Sequence, residues 1–285
     1  MRSLLLAPAA LCTLALTASA QIQAPAKSPK ASFTESIGST EITVDYCRPA
    51  VRGRTIFGDL VPYDEVWRAG ANAATAISFS SDVKLAGQDI AKGRYAFFVT
   101  PQAKGPWKVI LNSVDEQWGS YNRDPEKDVL TFEVEPTSCA HQEYLRIAVD
   151  PTAMGKGEMS LAWDKTRIAF PISVDVHKVM TARITEAISK AGPEDWQVYY
   201  QAASYHYDNK LDLMQAMTWV NKSVEIEQQP QNLVLLANLL HETGDTAEAI
   251  PPMKRAIELA KPLGERAANY IKRLESTIKE WEASM

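Results

Sequence analysis

The first two thirds of the chain alternate short apolar runs with turn residues. Within these runs apolar and polar positions often alternate, as when Leu130, Phe132 and Val134 are separated by Thr131 and Glu133. This period of two is typical of strands buried on one face. The runs lie at residues 42–46, 76–79, 94–100, 107–111, 129–134, 145–149, 159–163 and 168–174. Because no helical pattern separates them, they predict an antiparallel β-sandwich or jelly roll over residues 32–175.

The pattern changes in residues 176–285 to longer segments rich in Ala, Leu, Glu and Lys, which predict helices. Aligning this segment with itself gives a period of 33 residues that superposes Ala216 on Ala249 and Ser223 on Ala256. Small residues between larger anchors resemble the tetratricopeptide pattern, in which paired helices approach closely. The alternative is a plain helical bundle. Together the two patterns predict an α+β chain of two domains, a β-sandwich followed by a short tetratricopeptide-like array.

The N-terminus has the order of a secretory signal. Arg2 precedes an apolar core at residues 4–16, and the small residues up to Ala20 provide a cleavage site. The core is too short to span a bilayer, which takes about 20 helical residues. We therefore expect a signal peptide at residues 1–20, a disordered linker rich in Pro, Lys and Ser at 21–31, and an exported protein that is periplasmic or extracellular.

Charge and cysteine content narrow the classes of function. The net charge of −5 is divided between both parts of the chain, so nucleic acid is not an expected partner. After signal cleavage only Cys47 and Cys139 remain. Either they form a single disulfide bridge, as an exported protein permits, or they are two unpaired thiols.

Residues 46–75 concentrate arginine, aromatic residues and glycine, and this segment is the first candidate site. Every basic residue in it is arginine, whose planar guanidinium pairs in a bidentate manner with carboxylate or phosphate. We expect Arg48, at the exit of a strand, and Arg68, beside Trp67, to contact a ligand, because loops at strand ends usually carry function. In the alternative interpretation, the arginines bind nearby acids and hold the loop on the sandwich. The residues concerned are Arg48, Arg52, Arg54 and Arg68, with Asp59, Asp64, Glu65 and acids elsewhere in the chain as partners.

Two Trp-Gly-Asn clusters suggest a planar polar ligand. Trp67 with Asn72, and Trp118 with Asn122, each combine an aromatic face with an amide, which suits a sugar ring. Both clusters lie between strands and can line one cleft. In the alternative interpretation, the aromatic rings cap the open end of the core and the asparagines close turns.

The ordered motifs of residues 32–175 resemble the exported bacterial domain-of-unknown-function family numbered 2911. The resemblance implies a domain boundary and no assigned activity. Typical members have Ser at the position of Cys47, which argues against a catalytic or bridging role there. The motifs are Arg48-Pro49, Arg52-Gly53-Arg54, Ile56-Phe57-Gly58, Leu60-Val61-Pro62, Val66-Trp67-Arg68, Gly70-Ala71-Asn72, Ala74-Thr75, Ala91-Lys92-Gly93 with Tyr95, and Trp118-Gly119.

Most catalytic chemistries lack their sequence signatures. The four histidines show no metal-ligand spacing, no GxSxG motif marks a serine nucleophile, and no phosphate-binding motif is present. We therefore expect no metal and no cofactor. A glycan hydrolase remains an alternative function. It needs two carboxylates about 5–10 Å apart, and several acids lie near the two aromatic clusters. The candidates are Asp45, Asp59, Asp64, Glu65 and Asp115.

The leading hypothesis from the sequence is a non-enzymatic binding module. In it the β domain holds a small polar, anionic or carbohydrate ligand, while the helical array docks a protein or peptide. A glycan-directed hydrolase and a purely structural β domain, with the arginines buried and salt-bridged, are the alternatives. The ligand-binding candidates are Arg48, Trp67, Arg68, Asn72, Trp118 and Asn122.

Overall fold

The computed structural model describes residues 24–285, and the expected signal peptide lies outside the described residues. The chain divides into two compact units between Val174 and Asp175. The first strand begins at Lys30, two residues inside the segment that the sequence predicts as a linker. Each unit is described separately below.

The first unit is built of β-strands. Their bounds are β1 Lys30–Ile37, β2 Thr40–Cys47, β3 Thr75–Phe79, β4 Val83–Leu85, β5 Gln88–Ile90, β6 Gly93–Thr100, β7 Trp107–Asn112, β8 Asp128–Val134, β9 Thr137–Ala153 and β10 Lys156–Ser173. A short 3-10 helix, Pro125–Lys127, precedes β8.

The strands form two antiparallel sheets. The larger sheet has the order β1-β2-β3-β6-β7-β8 and the smaller one β5-β4-β10-β9. This confirms the antiparallel, β-rich prediction for this part of the chain. The runs at 159–163 and 168–174, predicted as separate strands, belong to one long strand. Register shifts flank Asp164, whose φ of 53° is left-handed, so the strand pairing is interrupted without ending the strand.

The core lies on the inner faces of the sheets. Along β2 the side chains of Ile42 and Val44 are fully buried and those of Thr43 and Asp45 are partly exposed, as period-two alternation requires. Phe170 of the smaller sheet lies 5.0 Å from Phe132 of the larger sheet, measured between ring centroids. Burying such a side chain stabilises a fold by about 1.5–3 kcal/mol, so these inward rows explain how the sheets are held together.

The second unit is helical, as the sequence predicts. The helices are α1 Val176–Lys190, α2 Trp196–Asp208, α3 Leu213–Ile226, α4 Pro230–Glu242, α5 Thr246–Ala260 and α6 Ala268–Ser284, with a 3-10 turn at Lys261–Ala267. α2 packs on α3, and α4 on α5. The small residues at their contacts have no exposed surface, among them Ala203, Ala216, Ala237, Ala249 and Ala256.

Side-chain caps explain where several helices begin. Asp175 accepts a hydrogen bond from the Lys178 backbone amide before α1, and Asp212 accepts one from Gln215 before α3. Pro230, one of the breaks predicted from the sequence, occupies the first turn of α4, where a missing amide hydrogen costs nothing. Among the helices of residues 24–285, none combines the length and apolarity needed to cross a membrane.

Candidate functional site

A cleft of about 870 Å³ opens on the outer face of the larger sheet. Its lining includes side chains of β1, β2, β3 and β6, and the loop that follows β7 forms one wall. The residues important for its chemistry are Asp45, Arg94, Asp115, Glu116, Gln117 and Trp118. The cleft lies entirely within the first unit.

Strand register places a charged pair on the cleft floor. Val44 and Tyr46 are buried on the inner face of β2, so Asp45 between them points outward. On β6 the side chain of Tyr95 is likewise buried, so Arg94 points outward. Since β3 lies between β2 and β6, the long arginine side chain reaches across one strand to meet the carboxylate.

Arg94 binds two carboxylates. Its Nη1 lies 2.7 Å from Oδ2 of Asp45 and donates to the Ser78 hydroxyl at 3.1 Å, while its Nε lies 3.0 Å from Oδ2 of Asp115. A hydrogen bond from Ser32 and the hydrogen bond and charge of Arg94 together hold the pKa of Asp45 below its usual value, against a smaller opposing effect of desolvation. Asp45 is therefore a carboxylate, ready to accept further hydrogen bonds, at neutral pH.

Asn112, at the end of β7, anchors the loop that forms the cleft wall. It is fully buried, and its amide nitrogen donates to Asp128 at 2.7 Å and to the Asp124 carbonyl at 2.9 Å. Its amide oxygen accepts from the Val114 backbone at 3.0 Å and from the Gln117 side chain at 3.1 Å. Both ends of the loop are thus attached to one buried side chain, which limits its motion.

The anchored loop presents Trp118 to solvent. Trp118 forms an isolated bridge with Ala73, and the Gly119 amide donates to the Asn72 carbonyl at 3.1 Å. These backbone contacts hold the residue in place while its side chain stays 69% exposed. A large aromatic ring that is fixed at its backbone and free at its face can stack on a ligand at little entropic cost.

Of the six residues predicted from sequence, only Trp118 lines the cleft. Trp67 belongs to the core: it is 7% exposed, its ring stacks on Trp163 at 5.8 Å, and its Nε1 donates to the Gly70 carbonyl at 3.1 Å. The Trp67 ring therefore packs on other residues of the protein and not on a ligand, as the alternative interpretation of the aromatic clusters predicts. The sequence predicted that both tryptophans line one cleft, whereas in the structure only Trp118 does so.

Neither Arg48 nor Arg68 reaches the cleft. Arg48 donates through Nε to the Leu145 carbonyl at 2.9 Å, and its guanidinium lies 6.0 Å from the Tyr144 ring centroid. The Nε of Arg68 is buried and has no hydrogen-bond partner within the described chain. Arg48 therefore links the segment that follows β2 to β9.

The other two arginines of the segment also bind backbone carbonyls. Arg52 donates to the Lys27 carbonyl at 3.1 Å, and Arg54 donates to those of Ala50 and Val51. Among residues 24–285, no ion pair joins any of the four arginines to Asp59, Asp64 or Glu65. The alternative in which they bind Asp59, Asp64 and Glu65 is therefore wrong, and Arg48, Arg52 and Arg54 bind backbone carbonyl oxygens instead.

The two asparagines predicted as ligand contacts are exposed but stand outside the cleft lining. Asn72 adopts a left-handed φ of 60°, and its carbonyl binds the Gly119 amide, so it closes a turn that supports Trp118. Asn122 lies beyond Trp118 in the same exposed loop.

Sequence reasoning missed Arg94, which connects the site. It named Asp45 and Asp115 only as possible hydrolase carboxylates. The available signal was the alternation of β6, where inward Tyr95 and Phe97 require outward side chains at even positions, but one sequence does not show which strand lies opposite. The pairing of β3 with β6 places Arg94 opposite Ser78.

The remaining candidate groups are the two cysteines and any cluster of metal-ligating side chains. Cys47 and Cys139 are both free, so the disulfide alternative is wrong. Cys47 is buried and Cys139 partly so, and desolvation raises the pKa of Cys139, which disfavours its thiolate. Across residues 24–285, no three His, Cys, Asp or Glu side chains gather where they could hold a metal ion.

The first unit is thus β-rich with a polar cleft on one sheet, and helices follow it in the chain. The chain belongs to the family described as a protein of unknown function, DUF2911, whose model matches residues 28–172. The match covers the strands that carry the cleft. No curated protein and no solved structure matches the chain.

Proposed function

We propose that this protein is an exported, non-enzymatic binding module whose cleft holds a carbohydrate. The observation that carries the proposal is Trp118, 69% exposed at the edge of a cleft whose floor contains ionised hydrogen-bonding groups. Apolar surface next to a few convergent polar groups is the usual composition of a small-molecule site. A sugar ring matches it because one face is rich in C–H groups and its edge in hydroxyls.

The charges of the cleft favour a neutral sugar over an anion. Three acids, Asp45, Asp115 and Glu116, face two bases, Lys30 and Arg94. The guanidinium of Arg94 already binds two carboxylates, so little positive charge is left for an anionic ligand. A hydroxyl, by contrast, donates to a carboxylate oxygen and accepts from a guanidinium N–H without adding charge.

The same geometry supports binding over hydrolysis. A glycosidase needs one carboxyl group that carries a proton near neutral pH, and such a group has a raised pKa. Asp45 has a lowered pKa, and Asp115 is tied to the same arginine. Two carboxylates held by one guanidinium are hydrogen-bond acceptors for a ligand.

The remaining parts of the proposal rest on the sequence pattern. The charged, apolar and small-residue order of residues 1–20 supports export. The helical unit, with fully buried alanines between α2 and α3 and between α4 and α5, supports a separate tetratricopeptide-like domain that docks a protein or peptide.

A glycan array followed by calorimetric titration tests the carbohydrate proposal. We expect the purified protein to retain a set of neutral glycans, and Trp118→Ala to lose roughly three- to tenfold in affinity, since stacking on an aromatic ring contributes about 0.5–1.5 kcal/mol beyond buried area. Tyr144→Ala removes an exposed aromatic residue outside the cleft and is the matched control. Wild-type binding that survives Trp118→Ala, or a blank array, contradicts the proposal.

A further inference from the structure

A second exposed aromatic side chain follows Trp118 in the same loop. Tyr121 is 82% exposed, more than any other large hydrophobic or aromatic side chain of the described chain. A Cβ atom placed on Gly119 would lie 2.7 Å from the Tyr121 ring, so the ring rests directly on the glycine backbone. One side of the ring is thus supported by the turn, and the rest faces solvent.

The turn beneath Tyr121 is held firmly. Arg123 forms an ion pair with Asp128, the carboxylate that also receives the buried Asn112 amide. Next to Tyr121, the exposed Asn122 side chain makes no hydrogen bond to any other residue within 24–285. A supported aromatic ring beside an unused amide supplies both stacking and hydrogen bonding to a second sugar ring.

The size of the cleft agrees with a ligand longer than one ring. Its volume of about 870 Å³ is near the upper end of the roughly 300–1,000 Å³ typical of cavities for drug-sized ligands. Trp118 belongs to the cleft wall, and Tyr121 lies three residues farther along the same loop. A chain of sugar rings that enters the cleft can therefore extend over Tyr121.

We propose that the ligand is an oligosaccharide that stacks on Trp118 in the cleft and continues onto Tyr121, with Asn122 hydrogen-bonded to the outer ring. This inference rests on the proposed function and adds a second subsite to it. A single sugar uses the cleft alone, and each ring that reaches Tyr121 adds affinity.

The test is calorimetric titration with two series of probes, linear β-1,4-glucans and β-1,4-linked N-acetylglucosamine oligomers of one, two and four rings. In the series that binds, we expect the four-ring probe to bind the wild-type protein at least tenfold more tightly than the one-ring probe. Tyr121→Ala and Asn122→Ala should lower four-ring affinity roughly three- to tenfold and leave one-ring affinity unchanged. Tyr121→Phe keeps the ring and should retain most of the four-ring affinity.

The outcomes distinguish the inference from the function on which it rests. Equal affinity for one and four rings, or a loss in Tyr121→Ala that is the same at every length, overturns the second subsite alone. If neither series binds the wild-type protein, or if Trp118→Ala binds every length as the wild type does, both the carbohydrate cleft and its extension fall. Thermal unfolding of each variant checks that the exposed substitutions leave the fold intact.

Discussion

The two tryptophan turns of the β unit have the same kinds of residues and opposite environments. Residues 67–72 and 118–122 each begin with Trp, contain Gly and end with Asn. Trp67 is 7% exposed and Trp118 is 69% exposed. The first is part of the aromatic core, and the second faces solvent at the candidate site.

Backbone pairing explains the difference. Trp67 pairs with Val99 of β6 in both directions, its amide donating at 2.8 Å and its carbonyl accepting at 2.9 Å, and its ring lies against Trp163. Trp118 instead bridges to Ala73, which is itself in a loop, and its side chain stays exposed. Residue type shows that a ring can stack, but pairing decides whether it stacks on protein or on a ligand.

The sharpest test of this comparison is Trp67→Ala against Trp118→Ala. Removing the buried ring leaves a cavity, so we expect Trp67→Ala to lower the free energy of unfolding by about 3–5 kcal/mol. Trp118→Ala should change it by less than about 0.5 kcal/mol, as is usual at exposed positions. Denaturant unfolding measures both, and equal losses would break the comparison.

The next largest effect on the free energy of unfolding is expected at Asn112, which anchors the exposed turn. Asn112→Ala removes the four hydrogen bonds of a fully buried side chain, and we expect a loss of about 1–3 kcal/mol in the free energy of unfolding. Faster hydrogen exchange in residues 113–124 should accompany it. Asn122→Ala, at an exposed asparagine of the same loop, serves as the control and should change neither measurement.

Gly119→Ala tests the close contact in the exposed turn. Gly119 has a φ of 73° and Gly87 one of 82°, so an alanine is strained at either position, by about 1–2 kcal/mol. Only at Gly119 does the added Cβ meet a side chain, the Tyr121 ring, while nothing lies within 4 Å at Gly87. We expect Gly119→Ala to shift the NMR signals of the Tyr121 ring, and Gly87→Ala to leave them unchanged. The same response in both variants would mean that the ring does not rest on Gly119.

The smallest expected effect concerns pH. Because folding lowers the pKa of Asp45, its carboxylate stabilises the fold above its unfolded pKa of about 3.9, and this contribution is lost as pH falls through the lower folded pKa. The side chain is 40% exposed, so screening limits the contribution to below about 1 kcal/mol. Asp45→Asn should be slightly less stable than the wild type at pH 7, and the difference should disappear near pH 2. Asp89→Asn, at a more exposed ion pair, is the control.

Local pattern predicted the elements better than it predicted the site. Alternation placed β2, β3, β6, β7 and β8 within one or two residues, because one-sided burial leaves a direct trace in the sequence. β1 was missed, and so were the short β4 and β5, in which three residues are too few to show a period. The helices and their breaks followed from Pro, Gly and capping residues.

The site depended on pairing between distant strands. Asp45, Arg94 and Asp115 come from three separate parts of the chain, and only the order of the sheet brings them together. The high arginine content of residues 46–75 instead led us to predict Arg48 and Arg68 as ligand contacts. Residue type alone does not show that both stand outside the cleft lining. Trp118 was predicted correctly as part of a loop between strands, but its exposure came only from the structure.

The order of the strands also has a consequence for how the chain folds. β1, β2 and β3 pair with their neighbours in the sequence, as do β6, β7 and β8. The β4–β5 hairpin instead joins its sheet only through β10, whose Ile172 pairs with Leu85. Every strand and loop of the cleft is made before β10 is available. Since long-range pairing is slow, we expect closure of the smaller sheet to limit the folding rate, with the larger sheet formed early and its inner face uncovered until then.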